Sequence, residues 1–316
     1  MKNYHFVFAL IVFTLFSNAC STKKQVSEKN DSLTQKPESE DNNFPVLADR
    51  YFGEKPPGLI PKEFAPKILS SDGWIEGVTF SPDMKEFYFS RRYGKYNKKR
   101  SFFAIRFENN SWGEVSETDI RWPLFSAEGN TMYVGKEYRK RTNDGWSESK
   151  PLGRFLEEQA HGLTVSANGT FYFPFFKKED KGHGNLGYSR LINGRYENPV
   201  KLSAEINTGE YIAHPYIAPD ESYLLWDVER EDGYGFADIY ISFRHEDGSW
   251  SEPISMDSTI NTELQESSPS VTPDGKYLFF TRGEWKTKED GSRYFVGKKY
   301  WVDAQIIENL RPKNNQ

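Results

Sequence analysis

The sequence Thr272-Pro273-Asp274-Gly275-Lys276-Tyr277-Leu278-Phe279-Phe280-Thr281 joins a tight turn directly to a short aromatic segment. Pro273 fixes φ at the first turn position, the Asp274 side chain bonds the nearby backbone, and Gly275 supplies the positive φ that other residues resist. The aromatic residues that follow are typical of a half-buried strand. This stretch therefore predicts a β-turn followed by a strand.

The same unit recurs four more times along the chain. Residues 81–90 and 218–227 are clear copies, and residues 126–134 and 166–173 are degenerate ones. The acidic or amide residue of the turn falls at intervals of 40 to 54 residues, at Asp83, Glu128, Asn168, Asp220 and Asp274. This spacing is typical of the four-stranded blades of a β-propeller.

A second signal follows each aromatic strand and marks the outer strand of a blade. It consists of a turn residue and then an aromatic residue, at Trp112, Trp146, Tyr196 and Trp250. The last copy lacks this signal, and residues 62–69, which contain Phe64, supply it from the other end of the chain. We expect these aromatic residues to pack between neighbouring blades. The sequence predicts an all-β propeller of five blades, with six as the alternative, in which the N-terminal strand closes the last blade.

The N-terminus carries a predicted targeting signal. Lys2 precedes an apolar run from Phe6 to Phe16, which is too short to span a bilayer and has the length of a signal-peptide core. The run leads into Ala19-Cys20, and this junction resembles a bacterial lipoprotein signal, which implies that Cys20 is the lipidated first residue. We predict a signal peptide at 1–19, a lipidated cysteine with a flexible polar tether at 20–49, and the propeller domain at 50–316.

The repeats resemble a known family. The turns of the Ser-Pro-Asp type, together with Gly-Phe-Ala-Asp-Ile-Tyr-Ile at residues 235–241, resemble the TolB-like propeller repeats that are also called WD40-like or PD40 repeats. Residues 300–307 are similar to the C-terminus of anchored PD40 proteins of the Bacteroidetes group. The resemblance covers residues 61–312. It implies a TolB-like propeller in the cell envelope and, by analogy with TolB, a partner-binding role.

Composition excludes some functional classes. The net charge is −5 and the basic residues are scattered, so we predict no nucleic-acid partner. Cys20 is the single cysteine, so the chain has no intramolecular disulfide and no cysteine nucleophile after the tether. Signatures such as GxSxG, HExxH and the P-loop are absent from the sequence, and we predict no cofactor.

Alignment of the inner strands gives the candidate site. Seven residues before each turn acid stand Glu76, Arg121, His161, Ala213 and Ser267, and six before stand Gly77, Trp122, Gly162, His214 and Ser268. Inner strands line the central channel of a propeller, so we expect at least one row to face it. The candidate channel residues are Glu76, Arg121, His161, His214 and Glu266. They predict either a hydrated channel wall or a site for a polar ligand or metal; the metal is not identified.

Two other motifs are interpreted as loops. Residues 182–187 match GxGxxG, but no helix pattern follows, so a hairpin loop is predicted. The acidic cluster of Asp227, Glu229, Glu231 and Asp232 does not match the spacing of an EF-hand, so a solvated hairpin tip is predicted.

Two functional hypotheses remain. The first is a lipid-anchored, non-enzymatic propeller of the bacterial envelope that binds a protein or glycan partner. The alternative is a carbohydrate-binding or metal-assisted lyase or hydrolase propeller that uses the polar channel.

Overall fold

The computed structural model describes residues 50–69, 73–92, 99–152, 162–175 and 184–312. The predictions for the signal peptide, Cys20, the tether and His161 lie outside these residues. No helix among the described residues has the length and apolarity that a membrane crossing requires.

The described chain is built from five groups of short antiparallel strands that follow one another in sequence and are called sheets here. A parallel pair of Trp74 with Gly297 joins the first and fifth groups into one nine-stranded sheet. It begins with β1 (Lys62–Glu63) and helix α1 (Pro66–Leu69). The first sheet contains β2 (Trp74–Phe80), β3 (Glu86–Arg92), β4 (Arg100–Glu108), β5 (Ser111–Trp112) and β6 (Ser116–Glu117). The second contains β7 (Leu124–Phe125), β8 (Thr131–Val134), β9 (Glu137–Thr142), β10 (Gly145–Trp146) and β11 (Lys150–Pro151).

The remaining sheets repeat this order from inner to outer strand. The third contains β12 (Thr164–Val165), β13 (Phe171–Phe175), β14 (Asn185–Ser189), the hairpin of β15 (Leu191–Ile192) and β16 (Arg195–Tyr196), and β17 (Val200–Lys201). The fourth contains β18 (Glu210–Ile217), β19 (Tyr223–Glu229), β20 (Asp238–Phe243) and β21 (Ile254–Ser255), followed by α2 (Asp257–Ile260). The fifth contains β22 (Gln265–Val271), β23 (Tyr277–Thr287) and β24 (Arg293–Asp303), followed by α3 (Gln305–Leu310).

The predicted turn joins the first two strands of each sheet. In the fifth sheet, Thr272 Oγ1 donates to Asp274 Oδ1 at 2.8 Å and accepts from the backbone nitrogen of Tyr277 at 3.1 Å. The residue after the turn acid has positive φ in every copy, at Met84, Gly129, Gly169, Glu221 and Gly275. The turn chemistry inferred from the sequence is therefore confirmed, although two copies reach this conformation without glycine.

The N-terminal strand completes the last sheet, as predicted. In β1, Lys62 and Glu63 pair with Trp301 and Tyr300 of β24. The next residue, Phe64, donates its backbone N–H to the Lys299 carbonyl at 2.8 Å, and its side chain is fully buried. Its ring lies 4.6 Å from Phe279 and 5.1 Å from Trp301, between centroids. Residues from both ends of the chain thus share one core.

Contacts join each sheet to the next and the fifth sheet to the first. They are Trp122 Nε1 to Ser90 Oγ (3.1 Å), the rings of Tyr133 and Phe171 (5.2 Å), Ile217 N to Thr164 Oγ1 (3.3 Å), Ser268 N to Asp227 Oδ1 (2.9 Å) and Thr281 Oγ1 to the Ile75 carbonyl (3.3 Å). The inner strands β18 and β22 also contact each other, as do β12 and β18. The protein is an all-β propeller, and we interpret the five described sheets as five blades.

The outer aromatic residues pack as predicted, within apolar clusters that include the preceding sheet. Trp250 of the fourth sheet meets Tyr172 of the third at 6.4 Å, and Trp146 joins the cluster of Tyr88 and Ala104 from the first. The repeated Ile-Asn-Thr joins also have a structural role. Asn261 accepts from the backbone nitrogen of Ile239 and donates to its carbonyl, both at 2.9 Å, which fixes the join against β20.

Candidate functional site

The inner strands carry a bulge at one equivalent position. The residue six before the turn acid has positive φ in four sheets, at Trp122 (46°), Gly162 (66°), His214 (42°) and Ser268 (53°). A proline follows three of these residues, and proline disfavours right-handed helical φ and ψ in the residue before it. Register shifts occur at the bulges of β18 and β22. A bulge re-aims the side chain at its position, and the site described below starts from the member of this row in the fourth sheet, His214.

His214 and Asp227 form the centre of the site. The Nδ1–H of His214 donates to both carboxylate oxygens of Asp227, at 3.0 and 3.1 Å. The His214 side chain is 47% exposed, whereas that of Asp227 is 4% exposed. With Nδ1 bonded to the buried carboxylate, Nε2 is the ring nitrogen left to contact a ligand. Asp227 also accepts the backbone N–H of Ser268 in the next sheet.

The charges around His214 raise its pKa. Burial among protein atoms acts to lower the pKa, but the charge of Asp227 and its hydrogen bond outweigh this effect. Glu76 adds a smaller upward contribution and Lys299 opposes it. Side chains from the first, fourth and fifth sheets therefore act electrostatically on one imidazole.

Lys299 lies behind this pair and is 2% exposed. Its Nζ donates to Thr281 Oγ1 at 3.1 Å and to the Ser268 carbonyl at 3.3 Å. Burial lowers the pKa of Lys299 to about 7, partly offset by the charge of Asp227. The neighbouring Ser267 hydroxyl is buried and has no hydrogen-bond partner among the described residues. Two buried polar groups thus line the inner strand of the fifth sheet.

Glu76 reaches the site from the first sheet. It is 7% exposed, and Arg100 holds it bidentately, with Nε on one oxygen and Nη2 at 2.7 Å from the other. Arg92 Nη2 lies 3.3 Å from the same carboxylate. Two guanidinium groups therefore fix the orientation of the carboxylate.

The other candidate residues lie elsewhere. Glu266 is fully buried. Its carboxylate accepts hydrogen bonds from Arg282 Nε at 2.7 Å and from the backbone N–H and the hydroxyl of Thr262, both at 2.8 Å, and these bonds hold the loop and the strand together. Arg121 is exposed and stacks on Phe102 at 5.7 Å. Glu76 thus acts electrostatically on His214, whereas Glu266 and Arg121 have other partners. His161 is outside the described residues.

Sequence reasoning missed Asp227 and Lys299. Asp227 was assigned to a solvated hairpin tip, which is wrong, because it is 3% exposed on β19. Alignment of the second strands at seven residues after each turn acid gives the row that contains it: Ser90, Gly135, Phe175, Asp227 and Thr281. Lys299 could have been found because a lysine interrupts an aromatic strand there. It pairs with Thr281 as Ile239 of the fourth sheet pairs with Asp227, and Ile239 is fully buried.

The structure also bears on the GxGxxG match and on the possibility of a metal site. The described part of the GxGxxG match enters β14 at Asn185, and no helix follows it. No group of three or more His, Cys, Asp or Glu side chains with the arrangement of a metal site occurs in the part of the chain that the structure describes. The arrangement at His214 instead suits hydrogen bonding to a polar ligand and proton exchange with it.

Comparison with known proteins adds similarities of fold. No protein-family model and no curated protein matches the sequence. Among solved structures, TolB from Acinetobacter baumannii is similar over 73% of this chain and 56% of that chain, at 15% identity and a TM-score of 0.42. A gluconolactonase from Xanthomonas campestris is similar over 78% and 97%, at 10% identity and a TM-score of 0.44. The tricorn protease is similar over 72% and 23%, at 16% identity and a TM-score of 0.43. The chain thus spans just over half of TolB and under a quarter of the tricorn protease.

Proposed function

We propose that this chain is a non-catalytic binding module of the bacterial cell envelope, a TolB-like PD40 lipoprotein anchored by acyl chains on Cys20. Its ligand is a polar group of a protein or glycan partner that enters the channel and hydrogen-bonds to His214. The single observation that carries the proposal is the half-exposed His214 side chain, whose Nδ1 is bonded to the buried carboxylate of Asp227.

The backbone of His214 supports a binding role. A residue other than glycine at positive φ costs on the order of 1–3 kcal/mol when its neighbours enforce the conformation, and such strain concentrates at functional sites. Here the strained residue is also the most exposed member of an otherwise buried cluster. Packing alone does not require this arrangement, because Asp227 and Lys299 are polar groups that lose solvation when they are buried.

The test is thermal unfolding of the full chain in detergent, with a panel of oligosaccharides and divalent cations. A ligand at about 100 times its Kd adds roughly 2.7 kcal/mol to the unfolding free energy, which raises Tm measurably. We expect a ligand-dependent rise that His214→Ala abolishes. The matched control is His245→Ala, because His245 is exposed at a hairpin away from Asp227. A rise that survives in His214→Ala contradicts the placement of the ligand at this histidine.

The second candidate function is a carbohydrate-active enzyme, which the His214–Asp227 pair favours. A carboxylate on Nδ1 leaves Nε2 as a base for a substrate proton, with a raised pKa that strengthens it. Glu266 is hydrogen-bonded to Arg282, and His161 stays a candidate outside the described residues. Cleavage of a polysaccharide panel by the wild type but not by His214→Gln supports an enzyme. Binding of a polysaccharide without its cleavage supports the non-catalytic binding module.

A further inference from the structure

A row of arginines stacked on aromatic rings follows the ends of the sheets where the inner strands begin. We name it the arginine–aromatic ladder and define it by its four cations, Arg92, Arg100, Arg121 and Arg293, and by the rings on which they stack. Arg92 and Arg100 also hold Glu76, which acts electrostatically on His214, whereas Arg293 and Trp285 lie on a separate hairpin. The ladder is a second feature of the same end of the propeller.

The first half of the ladder lies on the fourth and fifth sheets. The guanidinium carbon of Arg293 lies 5.3 Å from the ring centroid of Trp285 and 5.7 Å from that of Phe236. Trp285 meets Phe295 edge to face at 5.4 Å, and its Nε1 donates to Gln265 Oε1 at 2.9 Å. These contacts fix the indole plane while 40% of the side chain stays exposed.

The second half continues onto the first and second sheets. Phe295 lies 4.9 Å from Trp74, and Arg92 stacks on Trp74 at 5.4 Å. Glu76 then links Arg92 to Arg100, which stacks on Trp122 of the second sheet at 4.7 Å. The register places Trp74 beside both Arg92 and Gly297, so the two halves meet where β2 approaches β24.

Exposure and charge distinguish the ladder from core packing. Trp122, Trp285 and Phe236 are 41%, 40% and 45% exposed. Among the described residues, Arg121 and Arg293 form no ion pair, and Glu76 is shared by the other two cations. The ladder therefore presents rigid aromatic faces beside two guanidinium groups, those of Arg121 and Arg293, that no carboxylate of the described residues pairs with.

This combination selects a ligand chemistry. An exposed indole face stacks on flat, partly apolar rings, and a guanidinium group pairs bidentately with a carboxylate. A chain of pyranose rings that carry carboxylates offers both groups at each residue. We propose that the arginine–aromatic ladder binds an acidic oligosaccharide of the uronic-acid type.

Acidic neighbours argue against a nucleic acid on the same surface. Glu229, Glu231, Asp232 and Glu284 belong to the two hairpins that carry Phe236 and Trp285. A phosphodiester chain and a uronate chain both carry one negative charge per unit, so these carboxylates repel both. The pyranose hydroxyl groups of the uronate chain donate hydrogen bonds to the carboxylates, and the deoxyribose units within an oligothymidylate have no free hydroxyl group to do so. The inference rests on the proposed binding function and shares Arg92, Arg100 and Glu76 with the region of His214, but the residues varied in its test, Trp285 and Arg293, are different ones.

The experiment is isothermal titration of the full chain in detergent with β-1,4-linked glucuronate hexasaccharide. The matched ligand is cellohexaose, which has the same linkage with CH₂OH in place of each carboxylate. We expect the acidic hexasaccharide to bind about tenfold or more tightly than cellohexaose and to weaken as salt rises. Trp285→Ala and Arg293→Ala each weaken its binding by about tenfold, and Arg293→Lys does not restore it.

Lys288→Ala is the control variant, because Lys288 lies on the same hairpin and stacks on Tyr294 outside the ladder. His214→Ala separates the two sites: acidic-saccharide binding that survives this change belongs to the ladder, whatever the outcome at the channel. Circular dichroism of each variant verifies its fold. Equal affinity for cellohexaose, loss of binding in Lys288→Ala equal to that in Arg293→Ala, or tighter binding of an oligothymidylate overturns the proposal.

Discussion

The carboxylate of Asp227 lies 2.9 Å from the backbone nitrogen of Ser268, so a side chain of the fourth sheet holds the inner strand of the fifth. The same carboxylate accepts His214 Nδ1. One buried acid therefore orients the candidate ligand-binding ring and connects two sheets of the propeller. Because both functions depend on one charge, they are tested by one substitution.

Asp227→Asn removes that charge and keeps the shape of the side chain. We expect the free energy of unfolding to fall by about 1–3 kcal/mol, since a buried donor loses a charged acceptor. The pKa of His214 is raised in the folded state, so its stabilisation is present below its ordinary value of 6.5 and is lost as pH rises through the raised value. Urea unfolding at about pH 5.5 and about pH 9 should show a larger loss at the lower pH.

The exposed Asp232 provides the control for this change. Asp232→Asn should alter stability by less than about 0.5 kcal/mol at either pH. If Asp227→Asn lowers the free energy of unfolding by the same amount at both pH values, the prediction that Asp227 stabilises protonated His214 is wrong.

Lys299→Met tests the buried amine. Burial lowers the pKa of Lys299 from 10.5 to about 7, so the unfolded chain binds more protons between these two values and the wild type gains stability as pH rises. The gain is up to about 1.4 kcal/mol per pH unit. Lys299→Met has no amine to desolvate, and we expect it to be more stable than the wild type below pH 7, with the difference shrinking above it.

The neighbouring Lys298 is the matched control because its Nζ pairs with Glu63 at 2.8 Å on the surface, and this pair raises its pKa. Lys298→Met should show little change with pH between about 6 and 9. If the difference in unfolding free energy between Lys299→Met and the wild type stays constant between about pH 6 and 9, the result contradicts the low pKa of Lys299.

The fold was predictable because its signals are local and repeated. The Pro-Asp-Gly turn at Asp274 requires particular backbone angles, and its five copies mark the sheets without any knowledge of long-range contacts. The closing strand was found by a similar argument, because an outer strand missing after Val302 had a counterpart at Phe64. Both are properties of the repeat rather than of a single site.

The site was only partly predictable because it lies where the sheets differ. Alignment of the inner strands identified Glu76 and His214, but the bulge at His214 changes the direction of its side chain, and this register shift appears only in the strand pairing. Asp227 sits in an acidic run that has the composition of a solvated tip. Its burial depends on Ser268, which is 41 residues away in sequence.

Phe64→Ala tests the closure of the ring. The Phe64 side chain is fully buried between aromatic residues of the first and fifth sheets, and loss of a buried phenyl ring costs about 3–5 kcal/mol. Ile60→Ala is the control, because Ile60 is 75% exposed four residues earlier in the same segment. Urea unfolding of both variants should show a large loss for Phe64→Ala alone. Equal and small losses would mean that the N-terminal strand adds little to the ring.

Cys20→Ser tests the predicted anchor, which lies outside the described residues. Acyl chains on Cys20 hold the protein on a membrane only if several of them are buried together, because a single chain binds marginally and reversibly. We expect the wild type to incorporate radiolabelled palmitate and sediment with membranes, and Cys20→Ser to lose the label and become extractable without detergent. Ser21→Ala, one residue away, should keep both properties. Membrane retention of an unlabelled Cys20→Ser protein would assign attachment to another part of the chain and contradict the predicted anchor.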